Sequence, residues 1–268
     1  MSEFNARAYW EDRIASNLGL HGVGYLGYGP AYNDWMYRVR SVIFRRTVRE
    51  LGVKLSASSV LDIGSGTGFY VRMWRQLGAK RVTASDLTSA AIEHLRETIP
   101  DIRAGQLDIG RPVTSALGSE RFDVISAMDV LFHIVDDAAF DQAIANIAGM
   151  LVPNGWFLMS DNFVHGQAQR INHQVSRTLD DITLVLQRSG LEPVKRTPMF
   201  VLMNAPTDTS SRWPLLAWRA AMVPVRLVNA IGHVQGALLF PLELLLTSVM
   251  SESPTTELLI CRKTVTGG

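Results

Sequence analysis

The residues from Val60 to Gly68, VLDIGSGTG, place one acid and three glycines where a buried strand would stop, turn and open into a helix. Glycines at Gly64, Gly66 and Gly68 remove the Cβ atoms that would keep a small ligand away from the backbone. A dinucleotide is the usual ligand of such a turn, and two details argue against it. The spacing is G-x-G-x-G, with Phe69 where a dinucleotide fingerprint carries its third glycine. Asp62, two residues before the first glycine, would set a carboxylate against a pyrophosphate and repel it. A ligand with a cationic amino group suits that acid better. Further acids follow at the ends of later apolar runs: Asp86 in RVTASDLT and Asp108 in IRAGQLDIG.

An acid–x–G–x–G–x–G run, with a second acid about 20 residues past the glycines, resembles the class I S-adenosylmethionine-dependent methyltransferases. The resemblance is strong from Ser59 to Phe163 and holds only in outline on the flanks. It implies an α/β fold: a Rossmann-like, seven-stranded, mostly parallel sheet with helices on both faces. It implies S-adenosylmethionine as cofactor, a ligand with an ammonium, a sulfonium and no phosphate. The cofactor site it implies comprises Asp62, Gly64, Ser65, Gly66, Gly68, Asp86, Leu87, Asp108, Ile109 and Met128. Within that set Asp86 would accept hydrogen bonds from both ribose hydroxyls, and Asp108 would lie beside the adenine amino group.

The elements needed to position these residues are legible. Residues 58–203 alternate strand and helix patterns, as a parallel sheet with covering helices requires. Later strands are expected in FDVISAMDV, GWFLMSDNF, within LEPVKRTPMFVLM, and in residues 254–264. Helices are expected from Phe69 to Gly78, after Thr88 or Ser89, after Asp136 or Asp137, and from Thr178 to Gly190, each with a polar cap, a glycine or a proline at an end. Two regions do not belong to this rhythm. Residues 1–57 pass from a glycine-rich stretch into a basic amphipathic helix crowded with Tyr25, Tyr28, Tyr32, Trp35 and Tyr37, and are expected to cap the cofactor pocket. Residues 204–253 form an apolar, helical insertion before the last strand, residues 254–268. Pro214, Pro224 and Pro241 are expected to break it into helices too short to cross a bilayer. A lid over the substrate, a subunit interface and a membrane-resting surface all remain open for it.

Methyl transfer from a sulfonium is an in-line displacement with a good leaving group. A base is needed for a hydroxyl acceptor and not for a carboxylate. His133, in VLFHIVD after the fourth strand, lies where ligands of parallel sheets bind, and many small-molecule members of the resembling family have a histidine there. His165 and His173 fall in the segment that, in this family, contributes to the acceptor pocket, and Arg177 beside them can pair with an acidic acceptor. The resemblance therefore implies an enzyme that methylates a small molecule, at a hydroxyl or carboxylate oxygen. The rivals are a magnesium-dependent catechol-type enzyme using Asp129, Asp161 and Asn162, an enzyme for a lipid or isoprenoid acceptor at a membrane, and a non-catalytic cofactor-binding protein. No metal is expected.

Composition narrows the partners. Lysine and arginine total 26 against 25 acids, so nothing favours a nucleic-acid backbone. A lone cysteine, Cys261, excludes an internal disulfide and is expected inside a strand. The N-terminus has no apolar signal core, from which a cytoplasmic location is expected. Homo-oligomerisation and peripheral membrane contact both fit the apolar insertion.

Overall fold

The structure, a computed structural model, describes residues 4–114 and 116–264. The outermost residues of the expected N-terminal cap and C-terminal tail, 1–3 and 265–268, lie outside the described residues. Three helices open the chain: α1 (Ala6–Ser16), α2 (Leu20–Val23) and α3 (Gly29–Glu50). The core then runs β1 (Ser59–Ile63), α4 (Phe69–Gln76), β2 (Arg81–Asp86), α5 (Ser89–Thr98), β3 (Arg103–Gln106), α6 (Ala116–Ser119), β4 (Phe122–Met128), α7 (Asp137–Met150) and β5 (Leu151–Asp161). A small hairpin, β6 (Gln169–Ile171) and β7 (Gln174–Ser176), leads into α8 (Leu179–Arg188) and β8 (Leu191–Pro198). Helices α9 (Trp213–Ala221), α10 (Val223–Leu227) and α11 (Asn229–Val249) precede β9 (Glu257–Lys263).

Seven strands form one sheet in the order β3-β2-β1-β4-β5-β9-β8. Only β9 runs against its neighbours, so the expected mostly parallel, Rossmann-like architecture is the one observed. Successive strand residues feed opposite cores, which is why these strands read as unbroken apolar runs. Val60, Val124, Leu158 and Ile260 meet α3 and α4 through Val39, Phe44 and Trp74. Leu61, Ile125, Phe157 and Leu259 meet α7 and α8 through Phe140, Ile144 and Leu186. Cys261 is fully buried in β9.

The expected caps hold. Thr88, Asp136 and Thr178 each accept a hydrogen bond from the backbone N–H three residues on, satisfying donors that a helix start leaves free. The insertion differs from expectation. Pro214 and Pro224 fall in the first turns of α9 and α10, where a proline has no hydrogen bond to lose. Pro241 sits inside α11 without ending it. It lies on the exposed side, where the carbonyl it leaves unpaired can reach water. The result is one helix of 21 residues, with mean hydropathy 1.4 over an 18-residue stretch of it, long and apolar enough by length and composition to cross a bilayer. Gly232 and Gly236 seat it on α3: a Cβ at Gly236 would come within 2.4 Å of Trp35.

Candidate active site

Strand order reverses between β1 and β4, and a crevice opens at the C-terminal ends of the strands there. A cavity of about 690 Å³ fills it. Gly64 and Gly66 turn the chain below the cavity with φ of 66° and 50°, a conformation that disfavours side chains. Gly64 has no room either, since a Cβ there would lie 2.3 Å from Val130.

Strand ends along this edge deliver polar groups in series. Asp108 follows β3, Asp86 ends β2, Gly64, Ser65 and Gly66 follow β1, and Met128 and Asp129 close β4. Leu87 and Ile109 complete the lining at the β2 and β3 ends. This spread suits an elongated ligand with a base, a sugar and a charged tail. Asp86 is buried, and burial pushes its carboxyl up despite hydrogen bonds from Thr88 and Gly66. Its Oδ1 accepts from Thr88 N–H (3.0 Å) and Oγ1 (2.8 Å), and Oδ2 accepts from Gly66 N–H at 2.9 Å. A carboxylate offers about four acceptor positions, so Asp86 has room for about one ribose hydroxyl rather than the two expected. Asp108 accepts from Gly110 N–H at 3.2 Å and pairs with Arg111 at 3.4 Å.

Two expected cofactor residues do not reach the cavity. Asp62 lies behind the wall, 2 % exposed, where its Oδ1 accepts from Ser126 Oγ at 2.6 Å. Ser126 in turn accepts from the Trp74 indole at 2.9 Å. Burial pushes the Asp62 carboxyl up to about 7 although the Ser126 hydrogen bond opposes it. The acid that tied the glycine run to a cationic ligand is thus a buried brace. Gly68 is absent from the lining as well and starts α4. The acid that does face the cavity beside Gly64 is Asp129. It adopts φ 58°, accepts from Ser160 Oγ at 2.8 Å and is ion-paired with Arg40 of α3. A left-handed non-glycine residue is worth about 1–3 kcal/mol of strain, held here by those two partners.

The far wall comes from the chain's N-terminus. Phe4, Trp10, Ile14, Val23 and Tyr37 all line the cavity. Helix α1 is held by Glu11, whose carboxylate accepts from Ser89 N–H, Ser89 Oγ and Ala90 N–H at 2.7–2.9 Å, at the positive end of α5. Burial acts against the Glu11 charge, but these hydrogen bonds keep its carboxyl below the usual range. This wall is built mainly from α1, for which no helix was expected. Of the tyrosines singled out, Tyr37 reaches the cavity. Tyr28 packs edge-on to Trp218, and Tyr32 donates to the Met203 carbonyl at 3.1 Å.

His133 lines the cavity, edge-on to Trp10 at 4.7 Å. Its Nδ1 is 2.9 Å from the His173 carbonyl. A carbonyl only accepts, so Nδ1 carries the hydrogen and Nε2 presents a lone pair. Burial brings its pKa down to about 4, opposed by the His173 hydrogen bond. His173 lies behind it, stacked between His133 and Tyr9, and does not line the cavity. Arg177 does not line it either. Its guanidinium holds Asp137 and the Ile134 carbonyl, both at 2.8 Å, and covers the Phe140 ring. Its role is to brace the turn that carries His133, not to meet an acidic acceptor. His165 pairs with Asp208 at 2.6 Å, away from the cavity.

Residues of the catechol-type rival are each buried or engaged by other partners. Asp129 pairs with Arg40, Asn162 Oδ1 accepts from Thr256, and Asp161 is buried, its carboxyl pushed up to about 7 by burial. Among the described residues, no group of three or more His, Cys, Asp or Glu side chains is placed to hold a metal ion. Nor does any residue of 204–253 line the cavity, so of the three readings left open for the insertion the lid is the one this lining does not support. Arg40, Trp10 and Glu11 carry the site in ways the sequence did not signal: each acts through a partner in another element. Asp129 was signalled only by its place after β4.

Residues 60–155 match the methyltransferase domain family. A ubiquinone biosynthesis O-methyltransferase of Rhodopseudomonas palustris is 31% identical over 153 residues, 55% of this chain and 54% of that protein. A tRNA U34 carboxymethyltransferase of Pseudoalteromonas atlantica is 29% identical over 152 residues, 51% and 45% of the two chains. The chain thus spans about half the length of these curated relatives. Among solved structures, the N-methyltransferase NodS of Bradyrhizobium japonicum, in complex with S-adenosyl-L-homocysteine, superposes with a TM-score of 0.55 over 97% of this chain and 99% of its own, at 18% identity. The CcbJ methyltransferase of Streptomyces caelestis superposes with a TM-score of 0.56 over 98% and 100%, at 14% identity, and these two likenesses establish a shared fold. With the domain match over the glycine turn and the strand-end acids, they lead to one conclusion: residues 60–155 form a methyltransferase domain, set in the fold of the class I S-adenosylmethionine-dependent methyltransferases.

Proposed function

We propose that this protein methylates a hydroxyl oxygen of a small-molecule acceptor, with His133 Nε2 taking the proton. The observation that carries the reading is the fixed tautomer of His133 on the cavity wall. When bound, S-adenosylmethionine supplies an electrophilic methyl group on sulfur. Asp86, Asp108 and the backbone of Gly64 to Gly66 would hold its nucleoside, and Asp129 would receive its ammonium. Trp10, Tyr37 and Phe69 exclude water, which matters because proximity and alignment supply roughly 7–11 kcal/mol in reactions of this kind. A base with a pKa of about 4 is adequate here, because the hydroxyl proton becomes strongly acidic as the oxygen is alkylated. The name of the Rhodopseudomonas relative supports oxygen as the atom methylated.

Incubation with methyl-labelled S-adenosylmethionine and a metabolite extract, followed by mass spectrometry, tests the activity. Label should appear on hydroxyl-bearing products. His133→Ala should lower transfer about 10²–10⁴-fold while S-adenosylhomocysteine still binds. Full activity in that variant points instead to a carboxylate acceptor, which needs no base. Binding of the cofactor with no labelled product in any extract would favour a non-catalytic role.

A further inference from the structure

Among the described residues, most of the exposed large apolar side chains lie between Trp213 and Met250. On α11, Ile231, Val234, Leu238, Leu242, Leu245 and Val249 are exposed at intervals of three or four residues, which makes one continuous stripe. Leu238 is 72% exposed and Val249 68%. Trp213 and Leu227, each 77% exposed, extend the surface onto α9 and α10. The opposite face of α11 is fully used. Gly232 and Gly236 seat it on Tyr32 and Trp35, and Glu243 accepts hydrogen bonds from the N–H groups of Val201, Leu202 and Met203. The helix is therefore held along the protein, over about 31 Å at 1.5 Å per residue.

Charge identifies what covers the stripe. Glu243 is the one acid between Arg212 and Met250, and it is turned inward. Arg212, Arg219 and Arg226 are exposed among the apolar residues, and Arg38 and Arg49 are exposed on neighbouring α3. Of the acids at the margins, Asp34 is exposed on α3, Glu50 pairs with Lys195, and Glu252 pairs with Arg196. A second copy docked about a twofold axis would bring this one-signed surface against itself. An anionic bilayer accepts both components, apolar side chains below the headgroups and arginines among the phosphates. We propose that α9, α10 and α11 form a docking face for an anionic phospholipid surface, with α11 lying in the plane of the membrane. No residue of this face lines the cavity, so docking leaves the cavity free.

Flotation of the full chain with phosphatidylcholine vesicles, with and without phosphatidylglycerol, tests this. Binding is expected to the phosphatidylglycerol vesicles and to be much weaker to phosphatidylcholine alone. Leu238→Glu with Leu245→Glu should lower partitioning roughly tenfold or more. Arg212→Gln with Arg219→Gln should lower it roughly twenty-five-fold, at about fivefold per arginine. Retained binding of S-adenosylhomocysteine shows that each variant is folded, and the arginine pair, being exposed, keeps the test open if the leucine pair is not. Absence of binding to either vesicle, or equal binding to both, overturns the proposal. So does a dimer in sedimentation velocity that Leu238→Glu with Leu245→Glu converts to monomer, since a second copy then covers the stripe.

Discussion

Two apolar regions are added to the same sheet, and they end up doing opposite things with their surface. The N-terminal helices turn Phe4, Trp10 and Ile14 inward and become a wall of the cavity. Residues 204–253 dock on the back of α3 and leave their apolar stripe facing out. Charge content separates them in part, with 13 Asp, Glu, Lys and Arg residues in 1–57 and six in 204–253, but it does not say which way each apolar face points. Polar anchoring does: Glu11 ties α1 to the start of α5, and Arg13 donates to the Gly22 carbonyl at 2.7 Å, so the segment is pinned across the mouth of the site. Glu243 instead ties α11 to the strand-end segment 201–203, away from the cavity. A single carboxylate placed on backbone N–H groups decides, in each case, which way an apolar face points.

The contrast can be broken in several ways. The largest effect should come from neither added region but from the core edge. Asp86→Ala should weaken S-adenosylhomocysteine binding by about 2–4 kcal/mol in calorimetry, because a charged hydrogen bond to the ligand is lost and Gly66 N–H loses its partner. An unchanged affinity would remove Asp86 from the site. Next, Gly236→Ala should lower unfolding stability by about 1–3 kcal/mol, since the new Cβ meets Trp35 Cβ and Cγ, which cannot swing away. Cofactor affinity should not change. If it falls as well, the insertion is coupled to the cavity and the contrast fails. Glu11→Ala should cost about 1 kcal/mol, the usual scale of a lost helix cap, seen as faster hydrogen exchange in residues 6–16 with the core unaffected.

The smallest effect is a shift in pH dependence. With the cap closed, His133 has a pKa lowered to about 4, so its neutral form persists as pH falls, and the acid limb of the transfer rate should lie near 4. Glu11→Ala relieves burial by loosening α1, and the limb should move upward toward the ordinary histidine value. A limb in the same place in both proteins would mean that α1 does not seal His133.

Local chemistry explains what was legible. The strand–glycine–helix turn, the acids at strand ends and the caps at Thr88, Asp136 and Thr178 are set by residues within a few positions of one another. Those features sufficed for the sheet, the cofactor class and most of the cavity floor. Side-chain direction at Asp62 was not legible, because whether it turns to a ligand or to Ser126 depends on a strand 64 residues away. The same holds for Arg177, whose partner Asp137 is 40 residues distant, and for Asp129, held by Arg40 of α3.

By itself, then, the sequence determined the architecture and the order of polar groups along the sheet edge, since periodicity, glycine spacing and capping act within single elements. Only the tertiary structure decided which acids face the cavity, which added segment covers it, and where the apolar surface of α11 is left. Those outcomes depend on contacts between elements far apart in the chain, and no local pattern encodes such contacts.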